Sequence, residues 1–139
     1  MKYKKMGSTY VVRLEVGEEI ITSLTALCEE ENIAIAEISA IGAVDRAVMG
    51  LYNITEHQYH QKTFEEPMEL VSLLGNASRK DGKSYIHLHA VVATEDCKTF
   101  GGHLNEAVIS VTCEMFVKTL DGEMNRRVCD KTGLNIFDI

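Results

Sequence analysis

Apolar and polar residues alternate along most of this sequence, a pattern that is typical of β-strands. The first such run, "TYVVRLEV" (residues 9–16), is also rich in β-branched side chains, which favour strands. Later runs are separated by short turn signals and cover about residues 47–54, 57–63, 67–75, 84–93, 107–120 and 123–129. This spacing predicts a sheet of short, mainly antiparallel strands.

A helical period occurs once, directly after the first strand. In "GEEIITSLTALCEEEN" (residues 17–32), apolar side chains recur on one face of a helix at Ile20, Ile21, Leu24, Leu27 and Cys28. Glu18 and Glu19 fit the first turn of that helix, where negative charge suits the helix dipole, and Asn32 is a suitable end. One amphipathic helix beside many antiparallel strands predicts an α+β fold.

Glycines mark the turns of the expected sheet and one irregularity within it. Asp81 with Gly82, and Asp121 with Gly122, are residue types that adopt positive φ easily, so each pair predicts a tight hairpin. Gly42 interrupts a strand-like run, which predicts a bulge or bend at that point.

The composition fits a single domain over residues 1–139. The chain has 45% hydrophobic residues, one proline and no internal repeat, so it can bury a core of its own. No apolar run approaches the ~20 residues of a membrane span, and the opening "MKYKKMGST" lacks an apolar leader. We therefore expect a soluble, cytoplasmic protein. Its four cysteines form no CxxC pair and are expected to be reduced thiols, mostly in the core.

The charge balance argues against general attraction to nucleic acid. Fourteen Lys and Arg residues against twenty-one Asp and Glu residues give a formal net charge of −7, which repels a phosphate backbone on average. DNA binding would need a local basic patch. There are three short candidate clusters, and each is more typical of solvated surface charge than of a DNA-binding patch. The first contains Lys2, Lys4 and Lys5, the second Arg79, Lys80 and Lys83, and the third Arg126 and Arg127.

Three of the five histidines lie in one stretch, "YIHLHAVVATEDCKTFGGHL" (residues 85–104). His87 and His89 would share one face of a strand, about 6.5–7 Å apart, with apolar residues on the other face. The glycine pair before His103 would let a loop bring a third imidazole back to them. Three nitrogen ligands with an open position suit zinc. Histidines that only form hydrogen bonds in a cleft or at a subunit contact fit the spacing as well.

Two carboxylates in apolar strands are candidate catalytic groups. Glu69 could act as a general base or anchor beside the metal, and Glu114 as a further ligand or acid/base group. The structural alternatives for Glu69 are a pair with an arginine such as Arg46 or exposure at a strand end. For Glu114 they are a place in an interface or at a sheet edge. Three other possible ligands are expected to lie elsewhere. Cys97 is expected in a loop, and His57 and His60 at the surface.

Several motifs of the sequence resemble those of a known domain family. The runs "AIGAVDRAVMGLYN" and "ELVSLLGNASRKDGKSYIHLHAVVATEDCKTFGGHL" resemble the plant and prokaryote conserved (PPC) domain, most specifically in "ELVSLLGN", "DGK", "HLHA" and "GGHL". The resemblance spans nearly the whole chain. It implies an α+β domain in which one helix packs on an antiparallel sheet or partly closed barrel, with a homotrimer as the usual assembly.

The resemblance also bears on function. Stand-alone prokaryotic members are described as predicted DNA-binding proteins, which implies a DNA-binding or regulatory protein, although "EPMELV" keeps Glu69 without the arginine of the plant motif and no Arg-Gly-Arg-Pro hook occurs. The family's HxH and GGH histidines look like ligands of a divalent ion, here His87, His89 and His103, with zinc the expected metal.

The fold implied is also similar to that of acetolactate decarboxylase, a metalloenzyme with an HxH pair and a later histidine. The alternative function is therefore a metal-dependent lyase or hydrolase acting on a small carbonyl or carboxylate compound. In it, Glu69 or Glu114 would move protons.

Overall fold

The computed structural model describes residues 1–139 as one helix and eight strands. In chain order these are β1 (Lys2–Met6), β2 (Thr9–Leu14), α1 (Ile20–Glu30), β3 (Ala36–Asn53), β4 (Gln58–Lys80), β5 (Lys83–Ala93), β6 (Thr99–Thr119), β7 (Arg126–Val128) and β8 (Asn135–Phe137). The predicted α+β class, with one helix on a mainly antiparallel sheet, is confirmed. The helix is short, and no helix of the chain is both long and apolar enough to cross a membrane.

Six strands form one antiparallel sheet in the order β1-β2-β6-β3-β4-β5. The sheet is partly closed because β5 also pairs with the beginning of β6, from His89 opposite His103 to Ala93 opposite Thr99. The later part of β6 pairs with β2 on one side and β3 on the other. Strands β7 and β8 form a separate two-stranded hairpin.

The apolar faces of the sheet and helix meet in one core. Leu24, Leu27 and Cys28 of α1 are buried, as the helical period predicts, and α1 packs against β5 and β6. From β5, Leu88 and Val92 point into the same core. Burying side chains of this size contributes roughly 1.5–3 kcal/mol each, which fixes β5 with its opposite face outward.

The start of α1 differs slightly from the expectation, whereas its end agrees with it. Glu19 is not in the first turn but caps it, because its carboxylate accepts hydrogen bonds from the backbone N–H groups of Ile21 and Thr22. The helix ends at Glu30, and Asn32 follows with a φ of 51°. Asparagine tolerates this left-handed conformation better than most residues, so the predicted end is confirmed.

The long strands are the main departure from the predicted pattern. The two runs expected at 57–63 and 67–75 belong to β4, which continues through Pro67. The pairing of β3 with β4 shifts between Val44 and Arg46, and such an irregularity accommodates a proline inside a strand. A similar shift at Gly42 confirms the predicted bulge. Strand β1, rich in lysine, was not predicted.

Only one of the two predicted hairpins forms. Asp81 and Gly82 both have positive φ, 52° and 77°, and join β4 directly to β5. At the second site Gly122 alone has positive φ. The prediction of a hairpin there was wrong, because the strand that follows, β7, pairs with β8 instead of with β6.

Candidate metal centre

Strand β5 carries two of the candidate ligands on its outer face. His87 and His89 alternate with Leu88 and Ala90, which are buried in the core. The alternation predicted from the sequence is therefore confirmed. Because the core fixes the inner face, both imidazoles must point away from it.

His103 reaches the other two histidines from a neighbouring strand. It lies in β6 directly opposite His89 in the β5–β6 pairing. The expectation that Gly101 and Gly102 form a loop was wrong, since both lie within β6. A β-carbon on Gly102 would lie 2.8 Å from the carbonyl oxygen of Gly50, so glycine is needed here for the close approach of two strands.

The three imidazoles form a nearly equilateral triangle. The ring centroids are 5.4 Å apart for His87 and His89, 5.1 Å for His87 and His103, and 5.5 Å for His89 and His103. One nitrogen from each ring lies within 4.8 Å of the other two. Three nitrogens at this spacing can converge on a single ion.

The electrostatic setting keeps two of the rings neutral. Burial, with smaller effects of His103, Arg126 and His89, lowers the pKa of His87 from its ordinary 6.5 to about 4. Burial also lowers the pKa of His103, with a smaller effect of His89. A neutral imidazole has a free lone pair, which is the form that binds metals. The donor set therefore fits a divalent ion.

The histidines line a cavity of about 550 Å³, a size typical of small-molecule sites. Two amide and phenol pairs lie in its wall. Asn105 donates a hydrogen bond to the hydroxyl of Tyr59 at 2.6 Å, and Asn135 donates to that of Tyr85 at 3.4 Å. Each hydroxyl hydrogen is free for another acceptor. The cavity can thus bind a metal together with an oxygen-bearing ligand.

The cavity residues other than the histidines were not predicted from the sequence. Tyr85 had a signal, because it precedes His87 by two positions and must share its face of β5. Tyr59, whose ring meets that of His103 edge-on at 6.2 Å, and Asn105 had none. Asn135 comes from β8, far along the chain, and only the tertiary fold brings it to the cavity.

Arg126 is a buried residue and not the surface charge that its place in a basic cluster indicated. Its side chain lies between the rings of Tyr85 and Phe137, at 4.6 and 4.5 Å from their centroids. It donates hydrogen bonds to the Ser78 hydroxyl and the Asn76 side-chain oxygen, both at 2.8 Å. These contacts attach the hairpin of β7 and β8 to β4.

The other basic residues of the three clusters are in part paired with neighbouring carboxylates. Four of them form ion pairs, which are Lys2 with Glu15, Arg79 with Glu29, Lys80 with Asp81, and Arg127 with Asp138. The remaining three residues, Lys4, Lys5 and Lys83, form no ion pair and belong to two separate clusters.

The candidate catalytic carboxylates lie together, but apart from the histidines. Glu69 and Glu114 are both exposed and line a depression with the apolar side chains of Ile41, Val71 and Val111. This depression and the histidine cavity share no lining residue. A catalytic role for either carboxylate stays a prediction.

The other residues considered for the site lie outside the histidine cluster. The proposed pair of Glu69 with Arg46 was wrong, because Arg46 binds Glu65 and Glu106. Cys97 lies in an exposed turn and outside the histidine cluster. His57 and His60 are exposed, as predicted.

Comparison with known proteins assigns the chain to a family. The family model of the Plants and Prokaryotes Conserved (PCC) domain matches residues 1–121. The chain belongs to this family. The resemblance noted in the sequence, under the equivalent name PPC, is therefore confirmed. The hairpin of β7 and β8, which contributes to the cavity wall, lies beyond the matched residues.

Solved structures of similar proteins cover the whole PCC domain. A metal-containing protein from Archaeoglobus fulgidus is 37% identical, with 100% of both chains covered and a TM-score of 0.89. A protein from Bacteroides thetaiotaomicron, for which DNA binding has been suggested, is 34% identical with a TM-score of 0.96. It covers 99% of this chain and 96% of its own. No match is found among curated proteins.

The similarity to acetolactate decarboxylase concerns the fold. The enzyme from Bacillus subtilis is 12% identical with a TM-score of 0.60, and the match covers 88% of this chain and 57% of the enzyme. The predicted likeness of architecture is confirmed. At this identity it carries no substrate with it.

Proposed function

We propose that this PCC domain is a metal-binding protein in which His87, His89 and His103 hold one divalent ion, most readily zinc. The observation that carries the proposal is the convergence of three imidazole nitrogens within 4.8 Å in the wall of a cavity. Burial favours the neutral form of two of them. The metal-containing relative from Archaeoglobus fulgidus supports the same function.

The cavity above the histidines would serve to bind a small ligand. A zinc ion held by three histidines supplies an open position and polarises an oxygen ligand placed there. Tyr59 and Tyr85 would donate hydrogen bonds to that ligand, while Asn105 and Asn135 hold the two hydroxyls in place. This arrangement suits a ligand-responsive regulatory module, and it would also suit a lyase or hydrolase for a small carbonyl or carboxylate compound.

Elemental analysis tests the metal site. The protein is purified without chelator and without a histidine tag, beside His87→Ala and the control His60→Ala, whose imidazole is exposed and outside the cluster. We expect about one zinc per chain in the wild type and the control, and little in His87→Ala. Absence of metal in all three, even after zinc is added, would return the histidines to a structural role.

A homotrimer is the assembly that we propose for this domain. The outer face of the sheet carries Ile41, Val71 and Val111 with 60%, 50% and 65% of their surface exposed. These residues surround one depression, and clustered apolar side chains of this kind are typical of protein interfaces. A neighbouring copy of the same chain would cover them.

Association with DNA is the second candidate function, favoured by the suggested DNA binding of the Bacteroides thetaiotaomicron protein. The net charge of −7 and the paired lysines and arginines predict a weak, salt-sensitive interaction. A gel-shift titration at about 50 and 150 mM salt tests it. No shift at low salt with micromolar protein would remove direct DNA binding.

A further inference from the structure

The wall of the histidine cavity contains no carboxylate that could neutralise a bound cation. None of its eleven lining residues is Asp, Glu, Lys or Arg, although the chain has twenty-one acidic residues. Neutral imidazoles leave the two positive charges of a divalent ion uncompensated. Hydroxide or another anion inside the cavity would provide that compensation.

A further positive charge is buried behind the same wall. Arg126 retains only 9% of its surface exposed and forms no ion pair with any carboxylate. Its hydrogen bonds go to neutral acceptors, including the backbone oxygen of Asn135 at 3.0 Å. A buried charge without a counter-ion is costly, so an anion nearby would be stabilised by it.

Two direct contacts connect this charge to the cavity. The guanidinium stacks on Tyr85 and binds the backbone of Asn135, and both residues line the cavity. Arg126 therefore adds positive potential to a site that already offers hydroxyl donors from Tyr59 and Tyr85.

We propose that the metal cavity selects small carboxylate anions over neutral ligands, and that the buried guanidinium of Arg126 determines this selection. The inference rests on the proposed metal site and adds the class of its ligand. It also gives the hairpin of β7 and β8, beyond the residues matched by the family model, a role in ligand specificity. If Arg126 only anchored the hairpin, its loss would affect all ligands alike.

Cobalt absorption spectroscopy on the full chain separates these possibilities. The protein is loaded with Co²⁺ and titrated with acetate, then separately with imidazole at about pH 8, where imidazole is neutral. Ionic strength is kept constant with a non-coordinating salt. The variants are Arg126→Met, which keeps an apolar side chain between the rings, Arg126→Lys, which keeps the charge, and Arg127→Met. Arg127 is exposed on the same strand, so its loss changes the net charge equally.

We expect Arg126→Met to bind acetate roughly tenfold more weakly than the wild type and to bind imidazole equally well. Arg126→Lys should keep most of the acetate affinity, and Arg127→Met should keep all of it. Unchanged acetate binding in Arg126→Met would overturn the inference, and so would an equal loss of both ligands.

Two further outcomes keep the test decisive. If Arg126→Met does not fold, Arg126→Gln replaces it, because a planar amide can still donate to Ser78 or Asn76 without carrying charge. If the wild type binds no Co²⁺, the metal site itself is wrong, and the inference fails with it. That result differs clearly from Co²⁺ binding without selection of acetate.

Discussion

Gly75 of β4 faces the backbone of His87 on β5 so closely that a β-carbon on Gly75 would lie 2.0 Å from the His87 carbonyl oxygen. No side chain can occupy this position unless one of the two strands moves. A strand shift here would displace the first candidate ligand, so the glycine supports both the sheet and the site.

We therefore expect Gly75→Ala to lower the free energy of unfolding by about 1–3 kcal/mol and to reduce the zinc content. Gly101→Ala is the matched control in a neighbouring strand, where the new carbon would lie 3.1 Å from the oxygen of Ala90 and the cost should be smaller. Denaturant unfolding and elemental analysis measure both effects. A fully stable, zinc-loaded Gly75→Ala protein would contradict this account of the β4–β5 contact.

Glu19 joins the start of α1 to β6. Its carboxylate accepts hydrogen bonds from Ile21 and Thr22 within the helix and from the backbone N–H of Ala107. Glu19→Ala should cost about 1–2 kcal/mol, as the loss of a helix cap usually does, whereas Glu30→Ala at the exposed end of α1 should cost less. Equal midpoints of chemical unfolding for the two variants would count against the capping role.

The stability of metal-free protein should depend on pH through His87. Its folded pKa is about 4, against an ordinary value of 6.5, so the unfolded chain binds a proton that the folded chain excludes between these values. The free energy of unfolding should therefore be highest above about pH 6.5 and fall as the pH decreases towards about 4.

Replacing His87 with asparagine, which does not titrate, should flatten this part of the profile. Chelator-treated wild type, His87→Asn and His60→Asn are unfolded with denaturant at about pH 7 and about pH 5. We expect a smaller loss of stability between the two pH values in His87→Asn than in the other two proteins. Three parallel profiles would show that His87 does not cause the dependence.

Self-association should depend on the apolar face around Val111. Val111→Glu would bring a third carboxylate to the depression that already contains Glu69 and Glu114, so a trimer should dissociate to monomers at micromolar concentration. Ile54→Glu is the control, because Ile54 is similarly exposed, at 58%, but lies in the turn between β3 and β4. Light scattering gives the mass of each protein. A trimer in both variants would place the interface elsewhere.

The helix, the fold class and one pair of ligands could be predicted because local patterns determine them. Alternation along β5 places His87 and His89 on one face whatever lies around the strand. The position of His103 depended on the register between β5 and β6, which the sequence does not encode in a single motif. Gly101 and Gly102 therefore indicated a loop, although they allow two strands to approach closely.

The environment of Arg126 could not be predicted for a related reason. Its burial depends on Tyr85 and Phe137, one about 40 residues before it and the other in the next strand. In the sequence Arg126 is one of two adjacent arginines, which are usually exposed surface charges. Only its neighbour Arg127 is exposed, where it forms an ion pair with Asp138. Long-range packing, and not the local sequence, determines the burial of Arg126.

The pairing of β5 with β6 is the contact that closes the sheet, and His89 and His103 lie at one end of it. An ion bound by these two residues would join the strands across their seam. Loss of the ion would make separation of the seam easier and would free a backbone edge on each strand. Unpaired edges of this kind readily recruit other chains, so metal depletion would favour aggregation of this protein before it caused unfolding.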